Sequence, residues 1–370
     1  MATNKRLIKS NDEGGAVVPN FNIVTYTGDA GNTGNTLSKT VTGVGFQPDF
    51  TWIKRRNDTR SHFVTDAVRG AGKQLKTNLT GTETSYSGYL NSFISDGFTL
   101  GTDGDSNDTG GTYSSWNWLA NNTSGSSNTD GSITSTVSAN TTSGFSIVSY
   151  TGNSTTGATV GHGLNQTPNM VIIKSRGHST DWQTWFTGFG TGSGASVKRI
   201  YLNQNYALSG LSANSFYPDS DVINMNSGDH YFNSSSYNYI AYCFHSVKGY
   251  SKFGSYTGNG STDGTFVYTG FKPAFVMIKN TTNGNNWFIL DNKRTLFNLA
   301  DDSLFPNSNS AEITNQPTNY GLDILSNGMK MRTSGDHLVN NNNASGNTYI
   351  YMAFAEAPLV GSNNVPTTAR

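Results

Sequence analysis

The chain is poor in charge and nearly free of cysteine. Only 13% of its 370 residues are charged, and 24 Lys and Arg balance 24 Asp and Glu. A neutral chain has no extended cationic surface, so we do not expect nucleic acid among its partners. One cysteine, Cys243, cannot form an intrachain disulfide, so no disulfide framework is expected.

Long apolar runs are also missing. The longest in the first 15 residues is Leu7-Ile8, far short of the apolar segment of a signal peptide. No stretch approaches the roughly 18 apolar residues that a membrane-spanning helix needs. We therefore expect synthesis in a cytoplasm and no membrane insertion.

Turn-forming and aromatic residues fill the chain instead. It has 42 Gly, 20 Phe, 18 Tyr and 6 Trp, and this aromatic content is too high for a disordered protein. Helical periodicity is nearly absent, and the best helix candidates are the short segments 66–75 and 292–299. The pattern predicts an all-β protein of short antiparallel strands. In such a sandwich one face of each sheet is buried, which would account for the low apolar fraction.

One pattern occurs three times along the chain. Each copy opens with Tyr-Thr-Gly, continues into a strand in which Pro and Lys are six residues apart, and closes with an aromatic strand. The openings are 26–28, 150–152 and 256–258, the Pro strands are 48–54, 168–174 and 273–279, and the closing strands are 113–120, 237–244 and 349–355. Three related copies of about 100 residues each suggest tandem antiparallel β-sandwich units of the jelly-roll or lectin-like kind. Asp96-Gly97 and Asn327-Gly328 predict hairpin turns in copies one and three.

The repeats set the predicted boundaries. We place units 1, 2 and 3 at 21–120, 146–247 and 248–358. A polar linker is expected at 121–145, with one strand near 133–137. Residues 1–20 are interpreted as an N-terminal docking arm and residues 359–370 as a polar tail.

The densest carboxylate cluster is a weak candidate for a calcium loop. Asp103, Asp105 and Asn107 alternate like the first ligands of such a loop. The expected glycine at position six is Asp108, however, and the expected glutamate at position twelve is Ser114. A polar hairpin tip is the alternative that we favour.

No other pattern points to catalysis, a cofactor or a metal. The histidines show no i, i+4 pair and no nucleophile elbow is present. Cys243 lies between aromatic residues and is expected to be buried and inert. Paired carboxylates for glycoside hydrolysis stay open as an alternative, although the chain has only Glu13, Glu83, Glu312 and Glu356.

Two further residue sets have alternative interpretations. Lys54, Lys174 and Lys279 end the three Pro strands; they are either repeated contacts to an anion or sugar, or charges that discourage edge pairing, which we favour. Trp182, Tyr217 and Tyr231 fall on predicted loops, where their rings could stack on sugars. Ordinary packing or a subunit interface explains them equally well, and the residues of any binding face stay unknown.

Several long strings resemble structural proteins of bacteriophages, notably phages of marine bacteria. The resemblance covers Phe21 to Pro358. Its strings are GFQPDFTWIK at 45–54, DAVRGA at 66–71, SDGFTLG at 95–101, NTDGSITSTVSAN at 128–140, GYSKFGSYTGNGSTDGTFVYTGFKPAFVMIKN at 249–280 and YIYMAFAEAPLV at 349–360.

The resemblance implies a non-enzymatic protein on the virion surface. Its most natural role is a tail-fibre or receptor-binding component that contacts a host surface glycan or protein. A capsid decoration or head-fibre protein is the first alternative, and a glycan depolymerase is the second. The resemblance further implies other virion proteins as partners, synthesis in a bacterial host and a homotrimer.

Overall fold

The computed structural model describes residues 20–29, 38–192, 197–210, 212, 215–314, 321–334 and 342–355. Across this part the chain forms 26 strands, all named pairs antiparallel, and one helical turn. The prediction of an all-β fold of antiparallel sheets is confirmed. The predicted docking arm up to residue 19, the polar tail and Glu356 lie outside the described residues.

Unit 1 contains nine strands and the helical turn. They are β1 (Phe21–Thr27), β2 (Lys39–Thr42), β3 (Phe50–Arg55), β4 (Phe63–Asp66), β5 (Lys73–Lys76), β6 (Thr84–Ser85), β7 (Leu90–Ile94), β8 (Gly97–Leu100), α1 (Gly104–Asn107) and β9 (Thr112–Trp118).

The next ten strands lie between residues 126 and 244. They are β10 (Ser126–Asn128), β11 (Ser135–Asn140), β12 (Phe145–Thr151), β13 (Thr159–Gly161), β14 (Met170–Ser175), β15 (Gln183–Phe186), β16 (Ile200–Tyr201), β17 (Phe216–Pro218), β18 (Val222–Met225) and β19 (Asn238–Phe244).

Unit 3 contains the last seven strands. They are β20 (Ser251–Thr257), β21 (Phe266–Tyr268), β22 (Pro273–Asn280), β23 (Phe288–Asp291), β24 (Leu322–Leu325), β25 (Gly328–Met331) and β26 (Thr348–Ala355).

The same strand order recurs in three large sheets. In each, the closing strand lies between the Tyr-Thr-Gly strand and the Pro strand, and the aromatic strand follows. The orders are β1-β9-β3-β4, β12-β19-β14-β15 and β20-β26-β22-β23. A three-stranded small sheet accompanies each large one, in the orders β2-β8-β7, β13-β18-β17 and β21-β25-β24.

The inner strands of each large sheet are buried on both faces. In unit 1, Ile53 and Phe63 pack with Phe98 of the small sheet, whereas Phe50 and Trp118 belong to a core shared with the other units. Every residue of β3, β14 and β22 is therefore buried, polar ones included. The expectation that each sheet would leave one face to solvent is wrong for these inner strands, whereas the edge strands β1 and β20 do alternate buried and more exposed residues.

The shared core is centred on three aromatic rings at equivalent positions. Trp118, Phe244 and Phe354 each pair in register with the start of their own Pro strand. Their ring centroids are 6.3 Å apart for Trp118 and Phe244, 5.6 Å for Trp118 and Phe354, and 6.2 Å for Phe244 and Phe354. The three units thus meet around an approximate threefold axis.

Backbone contacts between the units close into a ring. The amide of Glu83 donates to the carbonyl of Arg176 at 2.9 Å, joining unit 1 to unit 2. The equivalent bonds join Leu208 to Thr281 at 2.9 Å and Glu312 to Arg56 at 2.7 Å. Each unit therefore contacts the next, and unit 3 contacts unit 1.

Local predictions had mixed outcomes. Hairpins do turn at Asp96-Gly97 and Asn327-Gly328, as predicted. The two helix candidates are wrong, because 66–75 holds turns and strand residues and 292–299 holds turns and bends. The strand predicted near 133–137 overlaps β11, whereas β10 also lies in the predicted linker 121–145. Since β10 pairs with β11 and β11 with β12, both extend the large sheet of unit 2.

Candidate functional site

In each unit a stacked pair of tyrosines holds together two loops, the one after Tyr-Thr-Gly and the one before the closing strand. We call the region formed by these two loops the loop end of the unit. The tyrosine of the Tyr-Thr-Gly motif stacks on the first tyrosine of the closing strand, with centroids 5.0 Å apart for Tyr26 and Tyr113. Its hydroxyl donates to the carbonyl of Ser106 at 2.9 Å, in the loop that precedes the closing strand. The same arrangement is formed by Tyr150 with Tyr239 and by Tyr256 with Tyr349.

A repeated asparagine binds the same two loops. We call the two tyrosines and this asparagine the clamp of the unit. The Oδ1 atom of Asn107 accepts the amide of Asp29 at 3.0 Å, and its Nδ2 donates to the carbonyl of Gly101 at 2.9 Å. Asn233 and Asn343 accept the equivalent amides of Asn153 and Asn259 at 3.1 Å, and their Nδ2 atoms donate to carbonyls of the same loops, those of Thr155 and Ser261. The two loops at each end are thus pinned by the same side chains.

The calcium-loop candidate lies in the first of these clamps. Gly104–Asn107 is a helical turn, so the strand-like alternation that the candidate assumed is not formed. Asp103 caps this turn by accepting the amide of Asp105, Asp105 pairs with Lys76 at 2.8 Å, and Asn107 binds backbone. Each of the three polar groups therefore has a structural partner.

The three repeated lysines are fully buried. Lys174 donates from Nζ to the carbonyls of Ser175 at 2.8 Å and Thr80 at 3.1 Å, the latter in unit 1. Lys279 donates to Asn285 and, across the next junction, to Asn205. Lys54 binds the carbonyls of Arg55 and Asp58. The interpretation of these residues as exposed charges that block edge pairing is wrong.

Burial lowers the pKa of all three ammonium groups. The pKa is lowered to about 8 for Lys54 and Lys174 and to about 7 for Lys279. Desolvation is the largest cause in each case, because it penalises the charged form. These lysines bind loop carbonyls rather than a ligand.

Two of the three junctions contain a network of four charged side chains. At the first, Asp66 pairs with Arg69 at 2.5 Å, and Glu83 bridges Arg69 at 3.2 Å and Arg176 of unit 2 at 2.9 Å. Asp66 also accepts the hydroxyl of Tyr242 of unit 2 at 2.8 Å.

The junction of unit 3 with unit 1 has the same design. Asp291 pairs with Arg294 at 2.6 Å, and Glu312 bridges Arg294 at 2.7 Å and Arg56 of unit 1 at 2.8 Å. Asp291 accepts the indole N–H of Trp116 at 3.0 Å. Sequence inspection missed both networks, although Glu83 and Glu312, two of the four glutamates, follow their Asp-x-x-Arg segments at similar distances.

A family model matches residues 19–358, which is nearly the whole described body. The chain belongs to the DUF7483 family. The description of that family is a domain of unknown function. No curated protein and no solved structure matches the chain.

Two buried histidines of this DUF7483 domain have hydrogen-bond partners, and two others contact each other. His62 accepts the indole N–H of Trp52 at 3.0 Å, and burial lowers its pKa. His162 lies between β13 and β14, where its Nδ1 accepts the amide of Leu164 at 3.2 Å. His178 and His230 approach each other at the loop end of unit 2, with ring centroids 5.3 Å apart. His337 lies outside the described residues.

The aromatic residues suggested for sugar stacking are mostly covered. Trp182 is buried, and its indole N–H donates to the carbonyls of Lys76 and Leu79 in unit 1. Its suggested stacking on sugars is therefore wrong. Tyr217 packs partly buried against the core, and Tyr231 stacks on His230 at 4.4 Å. Among the described residues, the large aromatic side chains that are exposed are Tyr86, Tyr206, Phe266, Tyr268 and Phe297.

Three further observations concern chemistry and membranes. Cys243 is buried, as predicted, and burial raises its pKa to about 12. Within the described ranges, no group of three or more His, Cys, Asp or Glu is placed to hold a metal. The described part also contains no helix long and apolar enough to cross a membrane.

Proposed function

We propose that this DUF7483 protein is a non-enzymatic component of a bacteriophage virion surface, in the tail fibre or at the receptor-binding tip. The observation that supports this most is the clamp of two tyrosines and an asparagine, which holds a pair of loops at the same place in three units. Function is commonly located in loops that a rigid scaffold positions. The resemblance to phage structural proteins supports a place for this scaffold on the virion surface.

The loop ends differ in chemistry although their scaffold is the same. That of unit 1 contains ion pairs, with Asp29 on Lys39 at 2.7 Å and Arg55 on Asp108 at 2.6 Å. That of unit 2 contains the rings of His178, His230 and Tyr237. Loop ends of different chemistry on one body favour several weak contacts to a host surface, which multiply when many copies are present.

The experiment has two readouts, the position of a label on intact phage particles and the adsorption of phage to host cells. A gold label on the chain is expected at the tail, and purified chain added to host cells is expected to reduce phage adsorption. Heat-unfolded chain at the same concentration is the control. A label spread over the capsid lattice would instead support the decoration protein, and new reducing ends released from host polysaccharide would support the depolymerase.

The proposed homotrimer needs its own measurement. Three units already close into a ring within one chain, so a trimer would bring nine sandwiches together. Light scattering on the purified chain distinguishes a mass of 39.8 kDa from three times that value.

A further inference from the structure

The junction between units 2 and 3 lacks the charged network of the other two. Phe186 and Phe189 stand where units 1 and 3 have the buried Asp–Arg pair, since Phe186 pairs with the start of its Pro strand as Asp66 and Asp291 do. Leu208 takes the place of Glu83 and Glu312, because its amide makes the same bond to the next unit. Thr281, two residues after Lys279, replaces the arginine that follows Lys54 and Lys174 at the same distance.

These shorter side chains leave a groove. Its volume is about 490 Å³, within the range of small-molecule sites. Phe189, Leu208 and Thr281 all line it. The groove therefore lies where guanidinium and carboxylate groups fill the space at the other two junctions.

The walls combine an apolar floor with a hydroxyl rim. Phe189 and Ile350 are each 4% exposed and form the floor. Thr187, Ser255 and Thr348 contribute exposed side chains to the rim. An apolar floor with hydroxyls around it matches a sugar ring, which has carbon-bound hydrogens on its faces and hydroxyls at its edge.

The hydroxyl of Ser255 lacks the hydrogen bond that an arginine makes at the equivalent position of unit 2. At the equivalent position in unit 2, the hydroxyl of Ser149 lies 3.2 Å from the guanidinium of Arg176 and accepts its hydrogen bond. No described residue makes a side-chain hydrogen bond with Ser255. Its hydroxyl is therefore available to a ligand in the groove.

The charge of the groove favours an anion. Lys198 is the one charged residue among the described residues that line it, and it is exposed. Its ammonium forms no ion pair with a described carboxylate. A ligand carboxylate would gain a charge-assisted hydrogen bond there.

We propose that this groove binds an acidic sugar of the uronic acid class. The assignment of that sugar to a host surface polysaccharide rests on the proposed function, whereas binding of the free sugar does not.

The test is a calorimetric or NMR titration of the full chain with glucuronate, and with glucose as the neutral match. Saturable glucuronate binding is expected, with glucose weaker. Lys198→Met should weaken glucuronate binding about tenfold, the effect of losing one charge-assisted hydrogen bond. Lys248→Met, which removes another exposed lysine, should leave it unchanged.

A double variant tests the location. Leu208→Glu with Thr281→Arg installs the side chains of the other junctions in the groove and should abolish binding; its thermal unfolding reports whether it folds. The proposal is overturned if the wild-type chain shows no saturable binding. Unchanged binding in the folded double variant or in Lys198→Met also overturns it, and Lys198→Met decides alone if the double variant does not fold.

The adsorption assay separates this proposal from the proposed function. If wild-type chain and Lys198→Met block adsorption equally, the protein still acts at the host surface but this groove is not its site. If neither blocks adsorption while glucuronate binds, the tail-fibre role fails and the sugar site stands.

Discussion

At the scale of single residues, the glycine of each Tyr-Thr-Gly motif is required by a close approach of two loops. A Cβ atom built on Gly258 would lie 2.2 Å from the carbonyl oxygen of Ala344, and Gly28 and Gly152 are similarly crowded. The clamp loop and the turn cannot both keep their positions around a larger residue. The motif is thus a structural signature rather than a ligand contact.

Gly258→Ala is therefore expected to destabilise the protein by about 1–3 kcal/mol, the usual cost of overpacking. Urea unfolding measures it. Gly81→Ala is the matched control, because a Cβ there meets no atom within 4 Å. Equal stability of the two variants would contradict the close-approach argument.

The buried Lys279 predicts an unusual pH dependence. Its pKa is about 7 in the folded chain, whereas an unfolded lysine titrates near 10.4. Between these values the unfolded state binds the extra proton, so the free energy of unfolding rises with pH by up to about 1.4 kcal/mol per pH unit. Lys54 and Lys174 add to the rise above pH 8.

Lys279→Met should remove its share of that slope. Urea midpoints between pH 7.5 and 8.5 measure it, more than one unit below the pKa of about 10 at which unfolded tyrosines ionise. Because the carbonyls of Asn205 and Asn285 lose their donor, the variant should also be less stable by about 1.5–3 kcal/mol. Lys248→Met should keep the wild-type slope, and an unchanged slope in Lys279→Met would show that Lys279 stays charged in the fold.

The repeated lysines also show where sequence reasoning failed at this scale. A lysine that ends an apolar strand is ordinarily at the surface. Here its apolar stem is buried, and its ammonium collects carbonyls of a loop and, for Lys174 and Lys279, of the neighbouring unit. The latter acceptors are more than 70 residues away in the chain, so no local pattern reveals them.

At the scale of secondary-structure elements, the junctions offer two solutions to one packing problem. Unit 1 presents Asp66 and Arg69 to unit 2, whereas unit 2 presents Phe186 and Phe189 to unit 3. Phe186 lies 6.5 Å from Phe253 between centroids. A buried ion pair and an apolar pair thus occupy equivalent places in one molecule.

Asp66→Ala should cost about 3–5 kcal/mol, because it leaves the guanidinium of Arg69 buried without its main partner. Asp66→Phe with Arg69→Phe gives this junction the two phenylalanines of unit 2. It should cost less stability than Asp66→Ala, since both members of the buried Asp–Arg pair are removed and neither charge is left alone. Thermal and urea unfolding measure both. A double variant less stable than Asp66→Ala would mean that the network stabilises this junction beyond charge compensation.

The elements themselves could be predicted better than their contacts. Alternation, aromatic runs and Asp-Gly or Asn-Gly turns located the principal strands and two hairpins, since these signals are local. The composition of β10 and β11, mostly Ser, Thr and Asn, predicts a linker with a single strand near 133–137, which overlaps β11 but leaves β10 out. Pairing of β11 with the apolar β12, and of β10 with β11, imposes the extended conformation that this composition does not indicate.

At the scale of the whole molecule, the internal repeat predicts three similar pieces but not their arrangement. Only equivalent residues from distant parts of the chain, such as Trp118, Phe244 and Phe354, reveal the ring. The groove at the third junction was equally hidden, because it arises from residues that differ between the copies. Comparison of the copies position by position would have found the loss of Glu and Arg in unit 2 and unit 3.

The docking-arm hypothesis is tested at this scale. Deletion of residues 1–19 should abolish incorporation into particles while the unfolding temperature stays the same. Asn20 is kept, because its carbonyl accepts the amide of Leu119 at 2.9 Å. Normal incorporation of the shortened chain would refute the arm, and a lowered unfolding temperature would assign these residues to the fold.

The two ends of the described body meet at its centre. The rings of Phe21 and Phe354 are stacked with centroids 5.1 Å apart, beside the three rings that join the units. Any segment before Asn20 and any segment after Ala355 therefore start from neighbouring points. A body held through either flank is therefore attached beside the approximate threefold axis, with its three loop ends arranged around the point of attachment.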